Sequence, residues 1–149
     1  MPRQLWGFSA SKMLRGTWKH IRHDALETAS RSCQKCGESP HPIYGDDLIC
    51  HELWRYDDQR GVARLVGFEI HCAKCDLVTH MGRALARGYG NEALKQLSKV
   101  NGITNVEAER VYRQAKAVWQ KRSARKWRIA VDKALLVRYP RLGMLEVSK

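Results

Sequence analysis

Four of the five cysteines in this chain form two Cys-x-x-Cys pairs, Cys33 with Cys36 and Cys72 with Cys75. Each pair supplies two thiolates from one tight turn, and two pairs complete the tetrahedral shell of Zn²⁺, with Zn–S distances of about 2.3 Å. Four sulfurs leave no position for water, so this spacing predicts a structural zinc. The alternatives are buried apolar cysteines or redox-active thiols. Cys50 is left as a spare, because disulfides are not expected in a reducing cytosol.

A second group, His51, Asp76 and His80, has the composition of a divalent-ion site beside a general base. Asp76 and His80 are four positions apart, which places both on one face of a helix. A strand histidine facing them can take a proton from water while they hold the ion. Each residue also has a simpler interpretation: His51 covers the zinc site, His80 packs in the core, and Asp76 is an ordinary acid of a first helical turn. His71 is interpreted as a neighbour of the zinc site and not as a ligand.

Three elements must carry these residues. Apolar residues at helical spacing predict a helix over residues 17–30, leading into the first cysteine pair. Glycines and prolines predict an irregular loop over 33–47. Two segments dense in apolar residues, 48–54 and 62–70, predict a hairpin with a turn between them.

Helical patterns dominate the rest of the chain. One helix is predicted after Cys75, ending at Gly88 and Gly90. A short helix over 91–100 follows, with Gly102 just past its end, and Thr104 with Glu107 forms a capping box that opens a longer one. The predicted buried stripe of that longer helix consists of Val111, Tyr112, Ala115, Val118 and Trp119.

The C-terminal region is predicted to contain a short strand over 127–131 and a last apolar run over 134–137. No repeat, low-complexity segment or domain boundary is evident. The chain is therefore predicted to form one α+β domain over 1–149.

Several motifs together resemble the zinc-stabilised HNH endonucleases of bacteria and phages. The order is the same: a Cys-x-x-Cys pair, a strand with a histidine, a second strand, and a second pair running into a helix with another histidine. The similarity spans nearly the whole chain, through Leu5-Trp6-Gly7, His51-Glu52-x-Trp54, Tyr56-Asp57, His80-x-Gly82, and Trp119-x-x-Arg122-Ser123 with Trp127. It implies a zinc-bound ββα-metal core over 33–90, an N-terminal helical lead-in over 1–32, and a basic helical extension over 91–149.

The resemblance implies a metal-dependent DNA endonuclease or nickase. His51 takes the position of the base, and Asp76 and His80 take positions that hold a catalytic Mg²⁺ or Mn²⁺ ion. Two positions depart from the family pattern: Cys50 stands where an acid or histidine usually precedes the base, and Gly67 stands near the place of the motif asparagine. Glu52 is a candidate for the missing carboxylate, but strict strand alternation would turn it away from His51. The alternative is therefore a weak or inactive zinc module that binds DNA or docks onto a larger nucleoprotein complex.

Charge supports a phosphate-rich partner. The chain carries 27 Lys and Arg against 15 Asp and Glu, a formal charge of +12, which favours nucleic acid, most simply duplex DNA. The same residues can instead form an ordinary solvated face; beside an HNH core, phosphate binding is the favoured interpretation, and Trp119 and Trp127 are expected in the core. No apolar run is long enough to cross a bilayer, so a cytoplasmic protein without membrane contact is expected. The basic residues concerned are Arg110, Arg113, Lys116, Lys121, Arg122, Arg125, Lys126 and Arg128.

Overall fold

The computed structural model of the protein describes residues 1–6, 8–39 and 48–146. Most of the irregular loop predicted before the hairpin, residues 40–47, therefore lies outside the described residues, as does Gly7 of the N-terminal motif. Among the described residues, no helix is long and apolar enough to cross a membrane.

The elements confirm a mixed α+β protein. Strand β1 is longer than predicted, and the strand expected over 127–131 is present as β3. The elements in chain order are α1 (Ala10–Met13), α2 (Arg15–Thr28), β1 (Ile49–Asp57), β2 (Val62–His71), α3 (Ala73–Thr79), α4 (Met81–Ala86), α5 (Gly90–Asn101), α6 (Asn105–Ser123), β3 (Arg128–Val131) and α7 (Lys133–Arg138), with 3₁₀ segments at Arg3–Leu5 and Pro140–Leu145.

The chain divides into two compact units, each built from segments distant in sequence. The terminal unit contains residues 1–25, 52–69 and 117–149, and the cysteine unit contains residues 26–51 and 70–116. The predicted lead-in, zinc-bound core and basic extension each contribute residues to both units.

The terminal unit is organised on the sheet, whose strand order is β1-β2-β3. β3 pairs in parallel with the first half of β2, with Val62 opposite Arg128 and Leu65 opposite Val131. Alternating apolar residues face a core that excludes water, and this burial is the main force holding the short β3 in place. The core side chains include Ile21, Leu65, Ile129, Val131, Leu142 and Leu145.

The cysteine unit is mainly helical. Helices α3, α4, α5 and α6 bury one cluster, formed by Met81, Ala84 and Ala93 with Leu77, Leu94, Leu97 and Tyr112 packed around it. The ends of these helices follow the sequence signals. Gly102 closes α5 in the left-handed conformation at φ 62°. The predicted capping box opens α6: the Thr104 hydroxyl accepts from the Glu107 backbone, and the Glu107 carboxylate accepts from Thr104.

Two of the helix predictions are wrong in detail. The element after Cys75 is two helices and not one, because His80 leaves helical geometry at φ −108° and ψ 41°. The predicted buried stripe of α6 is wrong in part: Val111 and Val118 are 40% and 44% exposed, whereas Tyr112 packs against the core cluster as predicted. The buried face of α6 contains Ala108 and Tyr112. Val111 directly precedes Tyr112, so its side chain is rotated by about 100° around the helix axis from that face.

Candidate metal centre

Hydrogen bonds between Gln34 and the end of β2 bring the two cysteine pairs close together. The Gln34 backbone N–H donates to the Ile70 carbonyl at 2.9 Å, and the Gln34 Oε1 accepts from the Ile70 N–H at 2.9 Å. Gln34 lies inside the first pair and Ile70 lies two residues before the second. Gly37, at φ +74°, closes the first turn and donates its N–H to the Cys33 carbonyl.

The four predicted ligands form one compact cluster. The sulfurs of Cys33, Cys36, Cys72 and Cys75 all lie within 4.8 Å of one another. The Cys36 and Cys72 sulfurs are 3.7 Å apart, and a tetrahedral zinc with bonds of about 2.3 Å requires sulfurs about 3.8 Å apart. The arrangement can hold a metal ion, and its donor set fits zinc.

The electrostatics of the cluster favour a bound cation. Burial raises the pKa of the Cys75 and Cys36 thiols. Burial also acts on Cys33, but backbone N–H groups of Cys72, Cys36 and Lys35 lower its pKa to about 7. Four ionised sulfurs at these distances repel one another, so a divalent ion is the natural means of keeping all of them as thiolates.

Gln96 completes the surroundings of the cluster. This residue of α5 is buried, and its Nε2 donates to the Cys75 sulfur at 3.2 Å. A donor of this kind stabilises a thiolate and fixes its direction. Sequence inspection did not single out Gln96, because nothing in the pattern of α5 distinguishes this position from a core residue.

The second predicted group also comes together in the cysteine unit. His51 on β1, Asp76 on α3 and His80 at the junction of α3 and α4 place their candidate ligand atoms within 4.8 Å of one another. The His51 Nε2 lies 2.5 Å from the Asp76 Oδ1, and the His80 Nε2 lies 3.7 Å from the same oxygen. Two imidazoles thus lie beside one oxygen of the buried Asp76 carboxylate. Imidazole nitrogens and a carboxylate oxygen are donors that can hold a divalent ion.

Protonation in this group follows from its contacts. Burial would raise the pKa of Asp76, but the His51 hydrogen bond and the nearby His80, His51 and Arg83 side chains lower it. An ionised Asp76 accepts this hydrogen bond, so its proton sits on His51 Nε2, and Nδ1 is the ring nitrogen away from the carboxylate. Burial, assisted by Arg83 and His51 against the opposing charge of Asp76, lowers the pKa of His80 to about 4. His80 is therefore neutral at pH 7, the form that binds metals.

Arg83 is a further member of this group that the sequence interpretation missed. Its guanidinium donates to the Asp76 Oδ2 at 2.6 Å. Positions 76, 80 and 83 are spaced i, i+4 and i+7, and the break at His80 preserves that shared face. The spacing alone was a usable signal for Arg83.

His71 lies beside the histidines, as well as beside Cys72. Its buried ring stacks on His51 with centroids 4.6 Å apart. Its Nδ1 is 3.3 Å from the Thr79 hydroxyl, which is 3.2 Å from the Cys75 carbonyl. The expectation that His71 is a neighbour of the cysteine cluster agrees with this placement, but its stacking on His51 was not foreseen.

Glu52 is engaged away from His51, as strand alternation predicted. Within the terminal unit its carboxylate accepts from the Ala10 N–H at 2.6 Å, at the start of α1. Gly67 lies on β2, where a Cβ would stand 3.6 Å from the Leu53 side chain. Cys50 is not part of the cysteine cluster.

The predicted basic residues fall into two classes. In the terminal unit, Arg122 forms a two-point ion pair with Asp58 at 2.6 and 3.0 Å and lies over the Tyr56 ring. Arg125 donates to the Asp58 carbonyl and lies over Trp127, whose burial confirms the core prediction. The other residues of the prediction are exposed along α6 and just after it, and Arg113 lies 3.7 Å from Glu109. They are Arg110, Arg113, Lys116, Lys121 and Lys126, with Arg128 exposed at the start of β3.

Comparisons of the chain with protein-family models, with curated proteins and with solved structures found no match.

Proposed function

We propose that this protein is a metal-dependent, HNH-type endonuclease or nickase that hydrolyses phosphodiester bonds in DNA, and that the four-cysteine cluster holds a structural zinc. One observation carries the proposal: the ligand atoms of His51, Asp76 and His80 lie within 4.8 Å of one another. Cys75, a member of the cysteine cluster, directly precedes Asp76. A metal bound by the four cysteines would fix the position of the start of α3, and so would help to position Asp76 on the same helix.

Asp76 and His80 are the proposed ligands of the catalytic ion. Asp76 supplies a negative oxygen and His80 a neutral imidazole nitrogen, a donor set that suits Mg²⁺ or Mn²⁺ mainly through the carboxylate. A divalent ion bound there would stabilise the charge that develops on the phosphate and on the leaving oxygen.

His51 is the proposed general base. Asp76 orients its ring through the 2.5 Å hydrogen bond, which leaves the ring nitrogen away from Asp76 to act as the base. That nitrogen accepts a proton from a water molecule as the oxygen of the same water bonds to phosphorus. The P–O bond to the sugar then breaks, and its oxygen takes a proton from solvent. Asp76 also stabilises the imidazolium formed in this step, as a carboxylate does beside any catalytic histidine.

The proposed substrate is DNA. The support is a formal charge of +12 and exposed basic residues on α6, which favour phosphate binding through counterion release. Arg122 and Arg125 contribute less to this surface than the sequence suggested, since both are held by Asp58. Binding is therefore expected to be steeply salt-dependent and only weakly selective for base sequence.

A second candidate is a zinc module that binds DNA or a nucleoprotein without cutting. The observation that favours it is the pair of departures at Cys50 and Gly67, where neither side chain offers a hard oxygen ligand. The two candidates share the zinc cluster and the basic surface, so only the chemistry separates them.

The deciding experiment is nicking of supercoiled plasmid by zinc-loaded protein, with Mg²⁺ or Mn²⁺ added or withheld. Relaxed circles that appear only with the added ion support the endonuclease. Zinc content is measured in the same samples, so that loss of the structural ion is not mistaken for loss of the catalytic one. DNA binding without nicking, with either ion and with several DNA forms, would favour the binding module.

A further inference from the structure

Arg83 is placed to do more than balance the charge of Asp76. Its guanidinium contacts the Asp76 Oδ2 at 2.6 Å, and its side chain remains 48% exposed while Asp76 is only 9% exposed. Arg83 thus joins a buried carboxylate to a side chain that is about half exposed to solvent.

The two oxygens of Asp76 have different neighbours. Oδ2 accepts from Arg83, whereas Oδ1 is the oxygen nearest to His51 and His80. One carboxylate therefore contacts a cation through Oδ2 and approaches the two histidines of the group through Oδ1.

A guanidinium carries five N–H donors in a planar fork. The contact with Asp76 occupies only part of that fork, and the half-exposed remainder suits an anion with two oxygens in one plane, for which phosphate is the common biological case. Compensation of the buried Asp76 charge accounts for the contact with Oδ2, but it does not account for the exposed part of the fork.

We infer that Arg83 binds the phosphate group that is to be cleaved, holding it between the guanidinium and the ion at Asp76 and His80. This inference rests on the proposed function, and it adds Arg83 as a substrate-binding residue of that site. The ligand class it names is a phosphodiester.

The test uses zinc-loaded full-length protein and two probes, Mn²⁺ alone and then dimethyl phosphate, a soluble phosphodiester. Binding of Mn²⁺ is followed by electron paramagnetic resonance. Binding of dimethyl phosphate to the Mn²⁺-saturated protein is followed by paramagnetic relaxation of its phosphorus nucleus. Asp76→Asn identifies the Mn²⁺ signal that belongs to this site, and Arg87→Ala is the matched control for loss of an exposed arginine nearby.

Arg83→Ala is expected to bind Mn²⁺ as tightly as wild type or more tightly, because a positive charge beside Asp76 is removed. Its affinity for dimethyl phosphate should fall about 10- to 100-fold, the range for loss of hydrogen bonds to a charged group. Arg83→Lys should keep part of that affinity, since it keeps the charge but not the fork. Arg87→Ala should match wild type with both probes.

Unchanged affinity for dimethyl phosphate in Arg83→Ala would overturn the inference, and a weakened Mn²⁺ site in the same variant would assign Arg83 to positioning Asp76. Wild-type protein that binds neither probe at this site would overturn both the inference and the proposed function. Protein that binds both probes through Asp76 and Arg83 but nicks no DNA would remove the endonuclease proposal alone and leave Arg83 as a phosphodiester ligand.

Discussion

The cysteine cluster and the group formed by His51, Asp76 and His80 draw ligands from the same short helix, yet they differ in every property that decides reactivity. The cysteine cluster offers four soft donors, two of them buried, with an amide from Gln96 beside one sulfur. The histidine group offers nitrogen and oxygen donors, contacts the cation Arg83, and leaves the His80 side chain 42% exposed. Adjacent residues, Cys75 and Asp76, thus belong to sites of opposite character.

Under the proposed function, this difference would let one short helix serve both stability and chemistry. A closed four-sulfur shell holds its ion without an open position, so its contribution is to folding. A mixed shell with an exposed edge would leave room for water and substrate, and its carboxylate favours a hard ion such as Mg²⁺, which usually keeps several of its waters. The comparison predicts that changes at the first site alter folding and changes at the second alter turnover.

The largest effect is expected from Cys75→Ser. Loss of one thiolate should abolish stoichiometric zinc and unfold the cysteine unit, because the binding energy of a structural zinc, about 10–16 kcal/mol in zinc-finger peptides, is also folding energy. Elemental analysis and thermal unfolding measure the two consequences. Cys50→Ser is the matched control and should retain one zinc per chain. A wild-type protein that is fully folded without zinc would contradict the assignment of the cysteine cluster to folding.

His51→Ala should act on chemistry alone. A general base contributes about 10²–10⁴-fold in rate, so metal-dependent nicking should fall by that amount while zinc content and melting temperature stay close to wild type. His20→Ala, which removes an exposed histidine of α2, is the control. Nicking by His51→Ala at the wild-type rate would remove His51 from the mechanism and leave only a histidine that covers the zinc site.

His80→Ala should show a smaller and recoverable loss. The variant keeps the base but loses a ligand, so the Mn²⁺ concentration for half-maximal nicking should rise about tenfold, which corresponds to about 1.4 kcal/mol of binding energy. Titration of the ion in the plasmid assay measures this shift. If the activity lost in His80→Ala does not return at any Mn²⁺ concentration, His80 does not act by holding the ion.

The sequence identified both groups because their members follow local rules. Cys-x-x-Cys spacing is a property of one turn, and the i,i+4 spacing of Asp76 and His80 spans the last turn of α3 and its C-cap, so neither pattern depends on knowledge of the tertiary fold. Capping at Thr104 and Glu107 and the left-handed Gly102 are equally local, and they were predictable for the same reason.

Non-local relations were harder to predict. The parallel pairing of β3 with β2, the contact of Gln96 with Cys75, and the ion pair of Arg122 with Asp58 each join residues far apart in sequence. The buried face of a helix also depends on the elements packed against it, and α6 buries Ala108 rather than Val111. A period of 3.6 residues indicates that a helix has an apolar face, but it does not fix which residues lie at the centre of that face. Charge counts likewise record that an arginine is present but not that Asp58 already holds it.

The smallest effect is expected from a substitution beside the cysteine cluster, and it tests whether that cluster acts independently of His51, Asp76 and His80. Gln96→Leu keeps the approximate volume of a buried side chain but removes the donor 3.2 Å from the Cys75 sulfur. Partners of this kind typically change metal affinity about 10–100-fold, so zinc should be lost at lower chelator concentrations while the protein remains folded and zinc-bound without chelator. Competition with a chromophoric chelator measures the affinity, and Gln114→Leu, at an exposed position of α6, is the matched control. Because the hydrogen bond that is removed reaches a sulfur of the cysteine cluster, the variant should nick DNA at the wild-type rate when zinc is saturating. A parallel loss of nicking would mean that the two sites are coupled through α3 and that their separation into folding and chemistry is incomplete.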